Sequence, residues 1–139
     1  RNRVSLTYVD NAAAAHLQAA AKLAFEAPCG GRAYFINDPE PVVFGEWLQE
    51  LARRLDLPPV TRRLSLSSAV RIGGVLEFLW KTFGLRDEPP LTRAVALNLG
   101  LSHWYSIDEA VRDFGYAPPV PADEGFDRMV EWFRALDRA

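Results

Sequence analysis

The chain has 139 residues and a formal net charge of −2 at pH 7, with 49% hydrophobic and 12% aromatic residues. This composition is ample for the core of one domain and excludes a disordered chain. Because no global basic field exists, a nucleic-acid-binding protein is excluded from the candidates. Cys29 is the only cysteine, which excludes an intramolecular disulfide and a cysteine-based metal cluster and fits a reducing cytoplasm.

The predicted elements begin with an extended stretch that leads into the best helix of the chain. Residues 1–9 alternate loosely between apolar and polar and predict a strand that needs a sheet. The alanine-rich run from Asn11 to Ala27 predicts a helix, with Asp10 or Asn11 as its cap. The face on which another element is expected to pack consists of Ala13, Leu17, Ala20, Ala21 and Ala24.

A βαβ unit is predicted next. Residues 32–37 have the pattern of a short strand, and a turn is predicted from Asp38 to Pro41. Pro41 opens a second helix with Trp47 on its apolar face, and residues 60–64 alternate as a second strand. Two strands joined by a crossover of this length should be parallel, with a right-handed connection. The predicted fold class is therefore helix-rich α/β, with a small parallel two-stranded βαβ unit packed among several helices.

The third predicted helix, residues 67–83, is apolar over most of its surface. Burial by packing is the favoured interpretation, and a lid over an apolar ligand is the alternative. A membrane role is disfavoured because Arg71, Glu77 and Lys81 lie within the helix. Three further helices are predicted. The first, at 92–100, has Thr92 as its cap, and the second, at 106–114, ends at Gly115. The last begins at about residue 123 and has Phe126 on its apolar face.

Three motifs stand in order along the chain. They are Tyr8-Val9-Asp10-Asn11 with Ala15-His16-Leu17, then Gly31 to Asp38 with Pro41, and finally Trp104 to Ile107 with Ala110, Phe114-Gly115-Tyr116 and Pro118. Together they resemble the C-terminal region of an extended short-chain dehydrogenase, most closely the 3β-hydroxysteroid dehydrogenase/isomerase-like family. Glu109 and Phe114 depart from that family's commoner residues, which leaves the subfamily open.

The resemblance implies that residues 1–139 form a single substrate-binding C-terminal domain, which lies against a cofactor-binding Rossmann domain that this chain lacks. The only methionine is Met129, so the chain is expected to be a piece of a longer product, cut by nature or by design. None of the nine glycines makes a Gly-rich turn, and no tyrosine is followed four positions later by lysine. We therefore expect no catalytic residue, no metal and no cofactor on this chain, with NAD or NADP held by the parent enzyme.

The resemblance also indicates substrate-binding residues. Tyr8 and Asn11 are expected to face the substrate pocket, with strand packing and helix capping as equally weighted alternatives. Arg93 is a candidate contact for a polar substrate group and Trp104 for a flat apolar one, although a structural role is favoured for both. The apolar third helix favours a steroid-like or other apolar alcohol or ketone.

A second hypothesis comes from a different class of protein. The chain would be a free-standing, non-catalytic module that binds an apolar ligand or a partner subunit. Its support is the same apolar surface, which also predicts self-association. The sequence leaves open the exact substrate, the choice of NAD or NADP, isomerase activity and the oligomeric state.

Overall fold

The computed structural model describes residues 2–23, 27–61 and 64–136. In this part of the chain, six helices accompany two very short strands, so the helix-rich α/β prediction is confirmed. The elements are β1 (Arg3–Val4), α1 (Val9–Lys22), β2 (Val42–Val43), α2 (Phe44–Arg54), α3 (Leu66–Phe83), α4 (Arg93–Gly100), α5 (Asp108–Phe114) and α6 (Ala122–Leu136).

The extended N-terminal segment, residues 2–7, connects stretches that are far apart in sequence. Its strand β1 pairs antiparallel with β2. Val4 also forms a parallel bridge with His103, just after α4. Closer to α1, the Asp38 N–H donates to the Leu6 carbonyl at 2.8 Å. Residues 2–7 therefore contact three later segments of the chain, at Asp38, β2 and His103.

The predicted parallel βαβ unit is not confirmed. The sheet formed by the described residues is two-stranded and antiparallel, and neither predicted strand belongs to it. Residues 32–37 are extended without forming a ladder, and residues 62–63 of the second predicted strand lie outside the described residues. An apolar run becomes a strand only where a neighbour supplies hydrogen bonds. Here, β1 pairs with Val42–Val43, which lie between the two predicted strands.

Two amide side chains decide which face of α1 is buried. Asn11 Nδ2 donates to the Val120 carbonyl at 2.8 Å, and Asn11 Oδ1 accepts from the Val120 N–H at 3.0 Å. About two helical turns further on, Gln18 makes the same reciprocal pair with Ala117, at 2.9 and 3.0 Å. These two amide clamps hold the connection between α5 and α6 along α1.

The predicted packing face of α1 is therefore wrong. The buried residues of the helix are Asn11 and Ala15, which lie one turn apart. Leu17, on the predicted face, is 73% exposed. The other predicted members that can be described are also exposed, and Ala24 lies outside the described residues. An alanine-rich helix has little apolar contrast between its faces, so the polar amides select the buried one.

The packed core lies between α1, α5 and the extended residues before α2. Its buried members are Ala15, Cys29, Ala110, Phe114 and Tyr116. The Tyr34 ring meets Phe114 edge-on at 5.2 Å, and its hydroxyl donates to Asp113 Oδ2 at 2.8 Å. That hydrogen bond, followed by one from Arg112, lowers the pKa of Asp113. Residues 32–36 are thus fastened to α5 rather than to a sheet.

Helices α3 and α4 form a hairpin that packs mainly on itself. Glu77 accepts from the Arg93 N–H at 2.7 Å and from Arg93 Nε at 2.8 Å. The Thr92 side chain caps α4, as predicted, by accepting from the Val95 N–H. Gly73 is the only buried residue of α3, and it lies against the Thr92 backbone.

The favoured prediction that α3 is buried by packing is wrong for the described residues. The hairpin leaves many large apolar side chains of its two helices in solvent, and we call this set of side chains the hairpin face. It comprises Ile72, Val75, Phe78, Leu79, Phe83, Val95, Leu97 and Leu99. No helix in the described ranges combines the length and apolar character needed to cross a membrane.

Replacing Asn11 by alanine should destabilise the protein strongly. The change leaves the Val120 N–H and carbonyl without their buried partner, and each unsatisfied group costs about 1–3 kcal/mol. Gln18→Ala removes the same pair of bonds at a more exposed position and should cost about 1 kcal/mol. Urea unfolding of both variants measures the difference. Equal losses of unfolding free energy in the two variants would show that burial does not strengthen the Asn11 clamp.

Two adjacent glycines of α3 provide a second test. A Cβ at Gly73 would lie 2.7 Å from the Thr92 carbonyl carbon, whereas a Cβ at Gly74 would meet only the flexible Arg93 side chain, at 3.4 Å. Gly73→Ala should therefore destabilise the protein by about 1–3 kcal/mol. Gly74→Ala should be neutral or stabilise by about 0.5–1 kcal/mol because alanine favours helix. Thermal unfolding that ranks the two variants in the opposite order would contradict this packing.

Candidate functional site

A groove lies between the β1–α1 junction, α2 and α6, and it has two lobes. Both lobes are lined by Leu6, Asp38, Trp47, Ala122 and Phe126. The Tyr8 lobe, about 510 Å³ in volume, is also lined by Thr7, Tyr8, Val9, Gly125, Arg128, Met129 and Trp132. The acidic lobe, about 450 Å³ in volume, is also lined by Glu40, Val42, Val43, Glu46, Glu50, Arg54 and Asp123.

The Tyr8 lobe is shaped by close contact between Tyr8 and α6. The Tyr8 carbonyl accepts from the Ala12 N–H, so α1 starts immediately beyond Tyr8 rather than at Asp10 or Asn11 as predicted. A Cβ at Gly125 would lie 2.9 Å from Tyr8 Cγ, so the ring lies directly against the α6 backbone. The Asn11 clamp on Val120, just before α6, maintains this approach.

Aromatic rings form the shared floor of the groove. Trp47 of α2 meets Phe126 of α6 edge-on, with ring centroids 5.6 Å apart. Phe44 stacks beside Trp47 at 6.3 Å. Trp132 extends the aromatic lining along α6. Such edge-to-face pairs present large apolar surfaces in fixed orientations, which are typical of sites for small organic ligands.

Arg128 is the cation of the Tyr8 lobe, and it is already paired. Its guanidinium donates to Glu124 at 2.5 Å and to Asp10 at 3.4 Å. The hydrogen bond with Glu124, followed by one with Tyr8, raises the pKa of Arg128. Two carboxylates therefore neutralise this charge, and the lobe is chiefly an apolar surface.

Asp38 lies where the two lobes meet, and it is only 8% exposed. Its Oδ1 accepts from Asn11 Nδ2 at 3.1 Å, and its backbone carbonyl accepts from Asn37 Nδ2 at 2.9 Å. No ion pair within the described residues involves it. Sequence reasoning assigned Asp38 only to a turn. Its position directly after an extended run was the signal that could have identified it.

The acidic lobe contains one arginine, Arg54, whose charge is satisfied. Arg54 bonds to Glu50 at 2.9 Å and pairs with Asp127, and its guanidinium lies 5.0 Å from the Phe126 ring centre. Hydrogen bonds from Arg53 and then Arg54 lower the pKa of Glu50 to about 2. The described lining of the lobe is therefore rich in carboxylates, and Glu50 among them is held in an ion pair.

The structure does not bring the four predicted substrate residues together. Tyr8 lines the groove, but Asn11 is 0% exposed and makes three hydrogen bonds, so it cannot contact a ligand without breaking them. Arg93 is bound to Glu77 at the base of the α3–α4 hairpin. Trp104 is 57% exposed and lines neither lobe.

The described residues offer no cradle for a dinucleotide or a metal. The glycines with positive φ are Gly31, Gly84 and Gly115, and they lie in three separate turns. A phosphate-binding loop needs its glycines close together before a helix. No group of three or more potential metal-ligating side chains is found within the described ranges. No hydride-transfer step can be derived from these side chains.

Comparison with known proteins identifies the class. The model of the 3-beta hydroxysteroid dehydrogenase/isomerase family matches residues 1–66. The 2-alkyl-3-oxoalkanoate reductase of Stenotrophomonas maltophilia (strain K279a) is 46% identical over 92% of this chain, and the mouse sterol-4-alpha-carboxylate 3-dehydrogenase, decarboxylating, is 29% identical over 97%. The crystal structure of gox2253 covers 99% of this chain with a TM-score of 0.63 and 26% identity.

These findings confirm the resemblance that the sequence motifs indicated. The chain is similar to extended short-chain dehydrogenases and, within that class, to the 3β-hydroxysteroid dehydrogenase-like family. The chain spans 39% of the length of the bacterial reductase, 38% of the mouse dehydrogenase and 39% of the gox2253 chain. It therefore corresponds to roughly two fifths of each of these proteins.

Adding a methyl group at Gly125 should displace the Tyr8 ring and narrow the Tyr8 lobe. We expect Gly125→Ala to cost about 1–3 kcal/mol, because the added carbon cannot fit without movement of the ring. Gly45→Ala is the matched control, since nothing lies within 4 Å of a Cβ there. In NMR spectra, the Tyr8 ring resonances should shift in the first variant only. Unchanged Tyr8 resonances in Gly125→Ala would contradict the contact.

Proposed function

We propose that this chain is the substrate-binding, C-terminal region of an NAD(P)-dependent oxidoreductase that acts on a steroid-like or other apolar alcohol or ketone. The observation that carries the proposal is the hairpin face. It places many large apolar side chains in solvent on two helices that pack mainly on each other. Groups of exposed large apolar side chains mark places where a ligand or another part of a protein binds.

The names of the relatives support an apolar substrate with an oxygen at carbon 3. One is named a reductase of 2-alkyl-3-oxoalkanoates and the other a 3-dehydrogenase of sterol-4-alpha-carboxylates. Both names describe a hydrocarbon body that carries an oxidisable or reducible oxygen. We propose that the hairpin face packs against such a hydrocarbon body, since apolar burial is the interaction the two substrates share.

A second surface suits contact with the cofactor domain. In the extended segment 32–37, Tyr34 and Ile36 point into the core while Phe35 is exposed. Phe35 stacks on Tyr105 with ring centroids 4.0 Å apart and an interplanar angle of 5°. This alternation is that of a strand with one solvated face. We propose that the Rossmann domain, with NAD or NADP, packs on this side.

The proposal assigns roles to three of the predicted residues. Tyr8 would contact the substrate or its flanking region through the groove, and the exposed Trp104 would stack on an apolar ring. Arg93 would act mainly as a positioning residue, because Glu77 already binds both its N–H and its guanidinium. The role of Asn11 is structural. Because the described residues provide no dinucleotide cradle, the chain alone would be inactive.

The alternative is a free-standing module that binds an apolar ligand or a partner subunit. The two-lobed groove favours it, because described residues of this chain line both lobes. The reading frame upstream of the Arg1 codon distinguishes the two proposals. A frame that encodes a Gly-rich strand-turn-helix and a Tyr-x-x-x-Lys motif would support the dehydrogenase, whereas a start codon within a few residues would overturn it.

Two valines provide a matched test in the protein expressed from the complete frame. Val75 lies on the hairpin face and Val111 on α5, and both are exposed. Val75→Ser should raise KM for an apolar 3-oxo substrate about tenfold, because burying a valine contributes about 1.5 kcal/mol. Val111→Ser should change KM less than twofold. NAD(P)H oxidation measures both, and equal KM values for the two variants would contradict a substrate role for the hairpin face.

A further inference from the structure

We infer that the acidic lobe binds an organic amine, with its ammonium group against Asp38 and its apolar body on the aromatic floor. This inference does not depend on the proposed oxidoreductase function. It concerns the acidic lobe and its junction with the Tyr8 lobe. The ligand has a charge opposite to that of the carboxylates named for the relatives.

The state of Asp38 is the first argument. The residue as a whole is 8% exposed, and a neutral amide, Asn11, donates to Oδ1. No hydrogen bond from the described residues reaches Oδ2, although Asp38 lines both lobes. A buried carboxylate without a cation is costly, because the protein interior replaces its hydration poorly. An ammonium group that enters the groove would supply both the charge and the missing donor.

The aromatic floor is the second argument. Trp47 and Phe126 line both lobes together with Asp38. A cation is attracted to the face of an aromatic ring, most strongly to tryptophan. The Arg54 guanidinium already lies over Phe126, at 5.0 Å, which shows that a positive group is accommodated at this floor. A carboxylate combined with aromatic faces is the chemistry that recognises organic ammonium ions.

The charge balance of the lining is the third argument. Asp38, Glu40 and Asp123 all line the acidic lobe, and Arg54 is the only cation among the described residues of its lining. Arg54 cannot neutralise them, because its hydrogen bonds go to Glu50 and Asp127. An anionic ligand would be repelled here, whereas a cation would be attracted.

The volume indicates a small ligand. The acidic lobe holds about 450 Å³ and shares its floor with the Tyr8 lobe. Clefts of this size accommodate small organic molecules. The apolar body of an amine bound at Asp38 can extend over Trp47 towards Met129 and Trp132. An alkylammonium ion therefore fits the combined shape and polarity of the groove.

Three probes of equal length test the inference on the protein expressed from the complete frame. Calorimetric titration with n-hexylammonium, n-hexanol and hexanoate separates charge from apolar contact. We expect n-hexylammonium to bind at least tenfold more tightly than n-hexanol, and hexanoate not to bind measurably. If n-hexanol binds as tightly as the ammonium ion, the inference is overturned.

Asp38→Asn is the decisive variant. The new amide retains an oxygen that can accept from Asn11 but removes the charge, so the affinity for n-hexylammonium should fall at least tenfold. Asp87→Asn, in the exposed loop after α3, is the matched control and should bind as the unaltered chain does. Undiminished binding by a folded Asp38→Asn variant would overturn the assignment.

Trp47→Leu provides a second route if Asp38→Asn does not fold. Leucine keeps the floor apolar but removes the aromatic face. The affinity for n-hexylammonium should fall about threefold to tenfold, while that for n-hexanol should change less than twofold. If the Trp47→Leu variant binds the ammonium ion as tightly as the unaltered chain, the aromatic floor is not part of the site and the inference fails.

Discussion

The buried side chain of Asn11 is the interaction on which the arrangement of this protein depends. Its side-chain amide forms hydrogen bonds with both backbone groups of Val120 and with one oxygen of Asp38. A single residue therefore joins α1, the segment just before α6 and the junction of the two groove lobes. A buried amide is costly unless its donors and acceptor are satisfied. Because Asn11 makes three hydrogen bonds, it stabilises this one arrangement and penalises every alternative in which Val120 moves away.

Local signals predicted the helices well, while contacts between distant residues decided the rest. Thr92 caps α4, and Gly115 ends α5 in the left-handed conformation, because both effects act within one turn of chain. The strand pairing joins Arg3 to Val43, and the buried face of α1 depends on Val120, which is 109 positions from Asn11. Neither propensity nor periodicity contains that information, which explains why the predicted parallel βαβ unit is not confirmed.

The candidate site was predictable only in part for the same reason. Tyr8 belongs to a recognisable motif at a helix start. Trp47 and Phe126 were correctly placed on the apolar faces of their own helices, but periodicity cannot show that two such faces meet around a groove. Asp38 had the form of a turn residue, and its importance follows from its burial next to Asn11. Sequence therefore indicated which residues are apolar or polar, and the fold determined which of them face a ligand.

The two exposed apolar regions differ in shape, and shape decides what can cover each of them. The hairpin face is the outer surface of two helices, and its separate side chains can be buried together only by an extended partner or by a ligand held between it and another domain. The groove is concave, so a small molecule can contact several of its walls at once. It also contains a buried carboxylate, which a hydrocarbon alone would leave unpaired. A large apolar substrate therefore suits the hairpin face, and a small cation suits the acidic lobe of the groove.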